Sequence, residues 1–169
     1  MDDRQKQMED PKGRNDGHVF DYSKLDEYIY LGSDLCRGSK CMLHGEQFTK
    51  LGVCVELNLS AERKEIPPDN IDIYSWIPVV DGYSPTVDQM LLGTAIMNEA
   101  IVNKNTVYVH CKNGHGRSPT MIAAYYVRYK GSTISDAIKK IKDIRHEVHI
   151  EDYQIKVLEE FKAKLDATK

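Results

Sequence analysis

Long apolar runs are missing from this chain. The longest, Met121 to Val127, falls far short of the roughly 20 residues a helix needs to cross a bilayer, so no membrane span is expected. Cysteine is sparse: four in 169 residues are too few for a disulfide-dense scaffold. The opening MDDRQKQMED holds no apolar stretch and does not read as a secretory leader. Reduced thiols and a cytoplasmic location are therefore expected. An excess of one charge is also lacking. There are 23 Lys and Arg against 26 Asp and Glu, a net charge of −3. No basic field recruits nucleic acid or anionic lipid, and any anion must be held by local chemistry. Glycine and proline, 11 and 6 residues, stay at ordinary levels, which excludes collagen-like and low-complexity chains.

What is present is ordinary globular composition, 41% hydrophobic and 29% charged, at the length of one domain. Residues 1–17 are mixed in charge and nearly devoid of apolar side chains, and read as a disordered tail; 18–169 read as one domain. Tyr28 to Leu31 is a β-prone run closed by Gly32-Ser33, and Gly45 to Leu51 suits a short helix. Val53, Val55, Leu57 and Leu59 alternate with Cys54, Glu56 and Asn58, the period of a strand. Ile71 to Val80 is β-prone again. Ser84-Pro85-Thr86 opens a helix to about Val102. Thr106 to His110 is a short strand, and Arg117 to Lys130 a helix apolar nearly all round. Two further amphipathic helices follow, Thr133 to Arg145 and about Glu151 to Leu165. The second is expected to bury Tyr153, Val157, Leu158, Phe161 and Leu165. The pattern predicts an α/β fold, a mixed sheet of four to five strands flanked by helices.

The segment His110-Cys111-Lys112-Asn113-Gly114-His115-Gly116-Arg117-Ser118 carries the chemistry. It is strand, glycine-bearing loop and helix N-terminus in succession. Backbone N–H groups in such a loop form an anion nest, and the helix dipole adds positive potential at the same point. Gly114 and Gly116 let the backbone approach a ligand, and the Arg117 fork matches two phosphate oxygens. A free thiol near pKa 8.5 is only slightly ionised at neutral pH, but a helix N-terminus and cations lower that value. Cys111 is thus a candidate thiolate facing a site shaped for a tetrahedral dianion, which suits phosphate-ester cleavage through a cysteinyl-phosphate.

His110-Cys111, five residues, then Arg117-Ser118 resembles the catalytic loop of the cysteine-dependent protein tyrosine phosphatases. Tyr28 to Ser33, Asn58-Leu59-Ser60 and Trp76 to Asp81 resemble segments of their small atypical dual-specificity branch. The resemblance implies a phosphatase-like fold over about residues 20–166, with Cys111 as nucleophile and Arg117 and the 112–117 amides binding the phosphoryl oxygens. It implies that Ser118 stabilises the thiolate and that His110 braces the loop. Asp81 would be the general acid and then the base toward water, with Asp88 the fallback. Gln154 is a candidate for positioning that water, one place earlier than in relatives. Lys112 and His115 either meet a second acidic group on the substrate or face solvent. Arg145, His146 and His149 fall in a turn that in relatives often borders the pocket; the simpler reading, cations that stabilise a helix C-terminus, is favoured.

No cofactor and no metal are expected; Cys36, Cys41 and His44 lack an evident fourth ligand. Ser60 stands where one lipid-phosphatase branch carries a redox cysteine. The expected partner is a phosphorylated protein or a small acidic phosphoester, with no nucleic acid, and the protein is expected to be a monomer. Alternatives are a phosphoinositide or other phospholipid phosphatase, an RNA 5′-triphosphatase, a sulfur carrier and a non-catalytic phosphate-binding module.

Overall fold

The computed structural model describes residues 21–34, 42–62 and 64–168. The expected tail at 1–17, and Cys36 and Cys41, lie outside the described residues. Among the described residues the elements run β1 (Tyr22–Asp26), β2 (Ile29–Gly32), α1 (Met42–Leu51), β3 (Val53–Ser60), β4 (Ile73–Val79), α2 (Val87–Val102), β5 (Thr106–His110), α3 (Arg117–Tyr129), α4 (Ile134–Ile144) and α5 (Asp152–Asp166). The strands form one sheet in the order β1-β2-β5-β3-β4. β1 and β2 pair antiparallel, whereas β2, β5, β3 and β4 are parallel neighbours. This is the mixed sheet flanked by helices that the sequence predicts.

The register positions the site. His110, the last residue of the central strand β5, lies opposite Gly32 on one side and Asn58 on the other. Because these strands run the same way, the segments leaving β2, β3, β4 and β5 emerge along one edge of the sheet, where open α/β sheets hold their ligands. Beneath that edge, Leu31, Leu57, Leu59, Val107 and Val109 pack with Met90, Met121, Ile122, Ile141, Leu158 and Phe161. Each such buried side chain contributes about 1.5–3 kcal/mol. A second cluster of Tyr30, Phe48, Val53 and Tyr108 brings in α1.

Thr86 caps α2 through a reciprocal bond pair with Gln89, and Thr133 caps α4, as expected of such residues before an amphipathic run. α3 is buried on every side from Arg117 to Val127, also as expected. Three details differ. α1 begins at Met42, ahead of Gly45. Tyr153 is 43% exposed, because the inward face of α5 is carried by Gln154, Leu158 and Phe161. In β3 the polar positions Glu56, Asn58 and Ser60 are as buried as the apolar ones. A parallel strand between two others is covered on both faces, so alternation there marks two kinds of interior and not core against water.

Candidate active site

The loop 111–116 between β5 and α3 is shaped by what its carbonyl oxygens bind. The Cys111 oxygen lies 3.2 Å from His110 Nδ1. The Lys112 oxygen accepts from the Asp34 N–H at 3.0 Å and the His115 oxygen from the His149 N–H at 3.0 Å. The Asn113 oxygen accepts from an Arg145 guanidinium nitrogen at 3.1 Å. The Gly116 oxygen takes the Thr120 N–H and hydroxyl. A trans peptide sends its N–H opposite to its C=O. Five carbonyls turned into the protein therefore turn the amides of 112, 113, 114, 116 and 117 the other way, and that set of amides is the anion nest. Gly114 allows the curl: its φ is +73°, and a Cβ there would meet the Gly32 carbonyl oxygen at 2.5 Å. Gly116 keeps a negative φ of −125° and caps α3 with no side-chain bond, so the first-turn N–H groups are not consumed by a cap.

Cys111 sits at the floor of this cradle, 2% exposed. The Ser118 hydroxyl donates to Sγ at 3.2 Å; it is inside α3 and is not the cap. Burial alone would push the thiol up, but the Arg117 guanidinium, Ser118 and the Gly114 amide outweigh it and hold it below its ordinary value. The site therefore favours a thiolate.

Arg117 is buried and fixed from one side. One guanidinium nitrogen donates to Glu62 Oε2 and to the Val79 carbonyl oxygen, both at 2.7 Å; another lies 3.0 Å from Asp81 Oδ1. Glu62 also accepts from the Ser60 hydroxyl at 2.5 Å. Burial would raise the Glu62 carboxyl, yet Arg117 and Ser60 hold it below its ordinary value, so the fork is held by a charged partner. Asp81 is 52% exposed and follows β4 in a turn with Gly82 at φ +82°.

A pocket of about 310 Å³ opens over the loop, lined by Cys111, Asn113, His115, Gly116, Arg117, Asp81, Gly82, His149, Glu151, Tyr153 and Gln154. Cys111, Arg117 and Asp81 are thus brought together, with Ser118 beneath. Asp88 is not among these residues; it is exposed and paired with Lys164 at 2.8 Å. Gln154 reaches the pocket, where its amide bonds the Glu151 N–H at 3.0 Å and the Tyr83 carbonyl oxygen at 3.4 Å. It ties the Asp81 turn to α5. Of the two basic loop residues, His115 lines the pocket and Lys112 does not. Burial, Arg145 and His149 push the His115 pKa down.

Several residues do more at the site than the favoured reading of the sequence gives them. Arg145 does more than stabilise a helix end: buried, it forks onto Asp21 at 2.9 and 2.6 Å and holds the Asn113 oxygen. His149 lines the pocket with its ring 5.8 Å from that of His115. Glu62 holds Arg117 across 55 residues of sequence. Below the loop, His110 Nε2 lies 3.0 Å from Glu56 Oε1 and 3.6 Å from Glu65 Oε2, all three buried. No local spacing announces any of these pairs; a buried charge in a strand would have been the signal, but burial is not written in the sequence. Among the described residues, Glu56, Glu65 and His110 are the group whose donor atoms lie close enough to hold a metal.

The catalytic-domain model of the dual specificity phosphatases matches residues 29–164. A phosphatidylglycerophosphate phosphatase of Arabidopsis thaliana, PTPMT2, is 29% identical over 146 residues, 83% of this chain and 62% of that protein. Human phosphatidylglycerophosphatase and protein-tyrosine phosphatase 1 is 36% identical over 83 residues, 49% of this chain and 41% of that protein. The chain spans less than two thirds of the length of either. The crystal structure of human DUSP28 shares the fold, with a TM-score of 0.73 at 23% identity over 87% of this chain and 99% of that one. The chain belongs to the dual-specificity phosphatase catalytic-domain family.

Proposed function

We propose that this member of the dual-specificity phosphatase family hydrolyses phosphate monoesters, phosphotyrosine and phosphoserine or phosphothreonine of proteins first among them, through a cysteinyl-phosphate on Cys111. The observation that carries this reading is the loop whose five carbonyls are tied into the protein, away from the cradle around a buried Sγ. The inward amides and Arg117 hold three phosphoryl oxygens and gain as negative charge redistributes in the transition state. The Cys111 thiolate attacks phosphorus and the ester P–O bond breaks. Asp81, as the carboxylic acid, gives its proton to the leaving oxygen. Water then attacks the cysteinyl-phosphate and passes a proton to the Asp81 carboxylate. The S–P bond breaks, and Ser118 receives the thiolate with its hydrogen bond. The Asp81 carboxyl, 3.0 Å from an Arg117 guanidinium nitrogen, stands beside the group that holds the phosphoryl oxygens and so within reach of the leaving oxygen.

A second substrate class is favoured by a separate observation. Phosphatidylglycerophosphate phosphatases are among the relatives, and the pocket carries His115 and His149 on one wall. Two imidazoles there suit a phospholipid headgroup with a second anion beside the scissile phosphate.

The test is a panel of phosphotyrosine and phosphothreonine peptides, phosphoinositides and phosphatidylglycerophosphate at matched concentration, with wild type and Cys111→Ser. Turnover of peptides by wild type alone, with retained substrate binding by Cys111→Ser, supports the main reading. Preference for a lipid by tenfold or more in kcat/KM moves the assignment to the second class. Binding without turnover in wild type leaves a phosphate-binding module.

A further inference from the structure

His110 is fully buried, and the reaction steps above leave its ring unused. Its surroundings fix the number of protons the ring must carry. Nδ1 faces the Cys111 carbonyl oxygen at 3.2 Å, an atom that can only accept. Nε2 faces Glu56 Oε1 at 3.0 Å and Glu65 Oε2 at 3.6 Å. A neutral imidazole has a single N–H. With Glu56 ionised, a neutral ring would turn a lone pair on one of two acceptors, and only the imidazolium donates to both sides. The second oxygen of Glu56 is buried without a hydrogen-bond partner. A carboxylate so placed is costly unless the cation beside it compensates.

We propose that Glu56 and Glu65 are positioning residues: they hold His110 as an imidazolium, which anchors the Cys111 carbonyl below the loop and thereby turns the Lys112 amide up into the phosphate cradle. This role presupposes that Cys111 is the nucleophile. The chain of cause runs from two carboxylates, to a doubly protonated ring, to the orientation of the first peptide after the nucleophile. The titratable and charged groups around the ring are Glu56 on β3, Glu65 in the segment after it, Tyr108 on β5 with its ring 5.4 Å away, and Tyr74 on β4. The Tyr74 hydroxyl accepts from the Asn58 side-chain NH2 and from the Glu65 N–H, and burial pushes it up to about 12, so it stays neutral. Burial works against charge on His110, but Glu65 and Glu56 overcome it and push the ring up to about 9. That agrees with the geometry.

Two measurements test this. In wild type, ¹⁵N chemical shifts of the His110 ring are recorded from pH 6 to 8.5. Both nitrogens are expected to stay protonated through pH 8. A ring that is neutral at pH 7 overturns the proposal, and this readout needs no turnover, so it fails or stands apart from the phosphatase reading. The second measurement is kcat/KM for an aryl phosphate, with the ring nitrogen shifts, in Glu56→Gln and in Glu56→Gln/Glu65→Gln. Without the carboxylates burial prevails and pushes the ring below its ordinary value. The double variant should then show a single ring N–H at pH 7 and lose about tenfold in kcat/KM, with the single variant between them. Glu56→Asp should recover the second N–H and the activity in part. A double variant that loses kcat/KM while its ring keeps both protons at pH 7 would make the role of the carboxylates purely structural, and that result sinks the proposal. Should the double variant not fold, Glu56→Gln and the wild-type ring titration decide the matter.

Discussion

A thiolate can displace a leaving group but cannot protonate it, and in the proposed reaction Cys111 and Asp81 divide the two tasks. An aryl phosphate with an acidic phenol leaves readily without help; a phosphotyrosine or alkyl ester does not. Asp81→Asn should therefore slow phosphorylation of Cys111 more as the leaving-group pKa rises. General acid catalysis is worth about 10²–10⁴-fold, and the loss should reach that range for the poorest leaving groups. The check is single-turnover rates across a series of aryl phosphates. A constant factor across the series would remove Asp81 from the role and make Glu151, the other carboxylate lining the pocket, the next residue to change. In the proposed cycle Ser118 serves the other end. Its hydroxyl donates to Sγ, and a hydrogen bond to a charged group contributes about 1.5–3 kcal/mol. Ser118→Ala should slow release of the thiolate by about 10–100-fold, so that the cysteinyl-phosphate accumulates. A burst of phenolate followed by slow steady turnover is the expected trace. Uniform slowing without a burst would place the hydroxyl's effect in the first step.

The catalytic loop is held by elements distant in sequence, and its fragility should follow those ties. Gly114 takes a φ of +73° against the end of β2. Gly114→Ala forces a side chain into a left-handed conformation and onto the Gly32 carbonyl. The strain alone costs about 1–3 kcal/mol, and the melting temperature should fall together with phosphate affinity. Arg145→Ala releases the Asn113 carbonyl and leaves Asp21 without its fork. Because Asp21 is half exposed, the stability loss should stay near about 1–3 kcal/mol, while kcat/KM drops with the loop's order. An Arg145→Ala enzyme with unchanged kinetics would make the clasp dispensable. Much of this architecture was legible in the sequence where the cause is local. Thr86 and Thr133 declare their helices, the apolar run from Met121 declares a buried one, and the spacing of Cys111 and Arg117 declares the cradle. What was not legible is carried by pairs far apart in the chain. Glu62 meets Arg117, Glu56 meets His110, and Asp21 meets Arg145. No helical or strand period encodes such a meeting. Only the parallel order of β2, β5, β3 and β4 brings these ends to one edge, and β3's alternation declares a strand without declaring that its polar face is covered too.

Taken as a whole, the molecule carries a buried charged knot under its active site, with Glu56, Glu62 and Glu65 facing His110 and Arg117. Such groups stabilise only while their partners keep their charges, so global stability should report on the His110 proton. The ring's value is raised from 6.5 to about 9 by Glu65 and Glu56 against burial. A raised value means the folded state binds the proton more tightly than the unfolded chain. The resulting stabilisation is fully present below about 6.5 and is lost as pH rises through about 9. At about 1.4 kcal/mol per pH unit, its full size is roughly 3 kcal/mol. Cys111 complicates the same window, since its depressed value acts with the opposite sign: its contribution is present at high pH and lost as pH falls. Cys111→Ser removes that opposing titration and leaves the nest in place. Urea midpoints of Cys111→Ser should accordingly be flat near pH 6 and decline steadily from about 6.5 to 9. The same background carrying Glu56→Gln/Glu65→Gln should start lower and decline much less over that interval. Equal slopes in the two proteins would show that the His110 proton is not what the fold holds, whatever the loop does in catalysis.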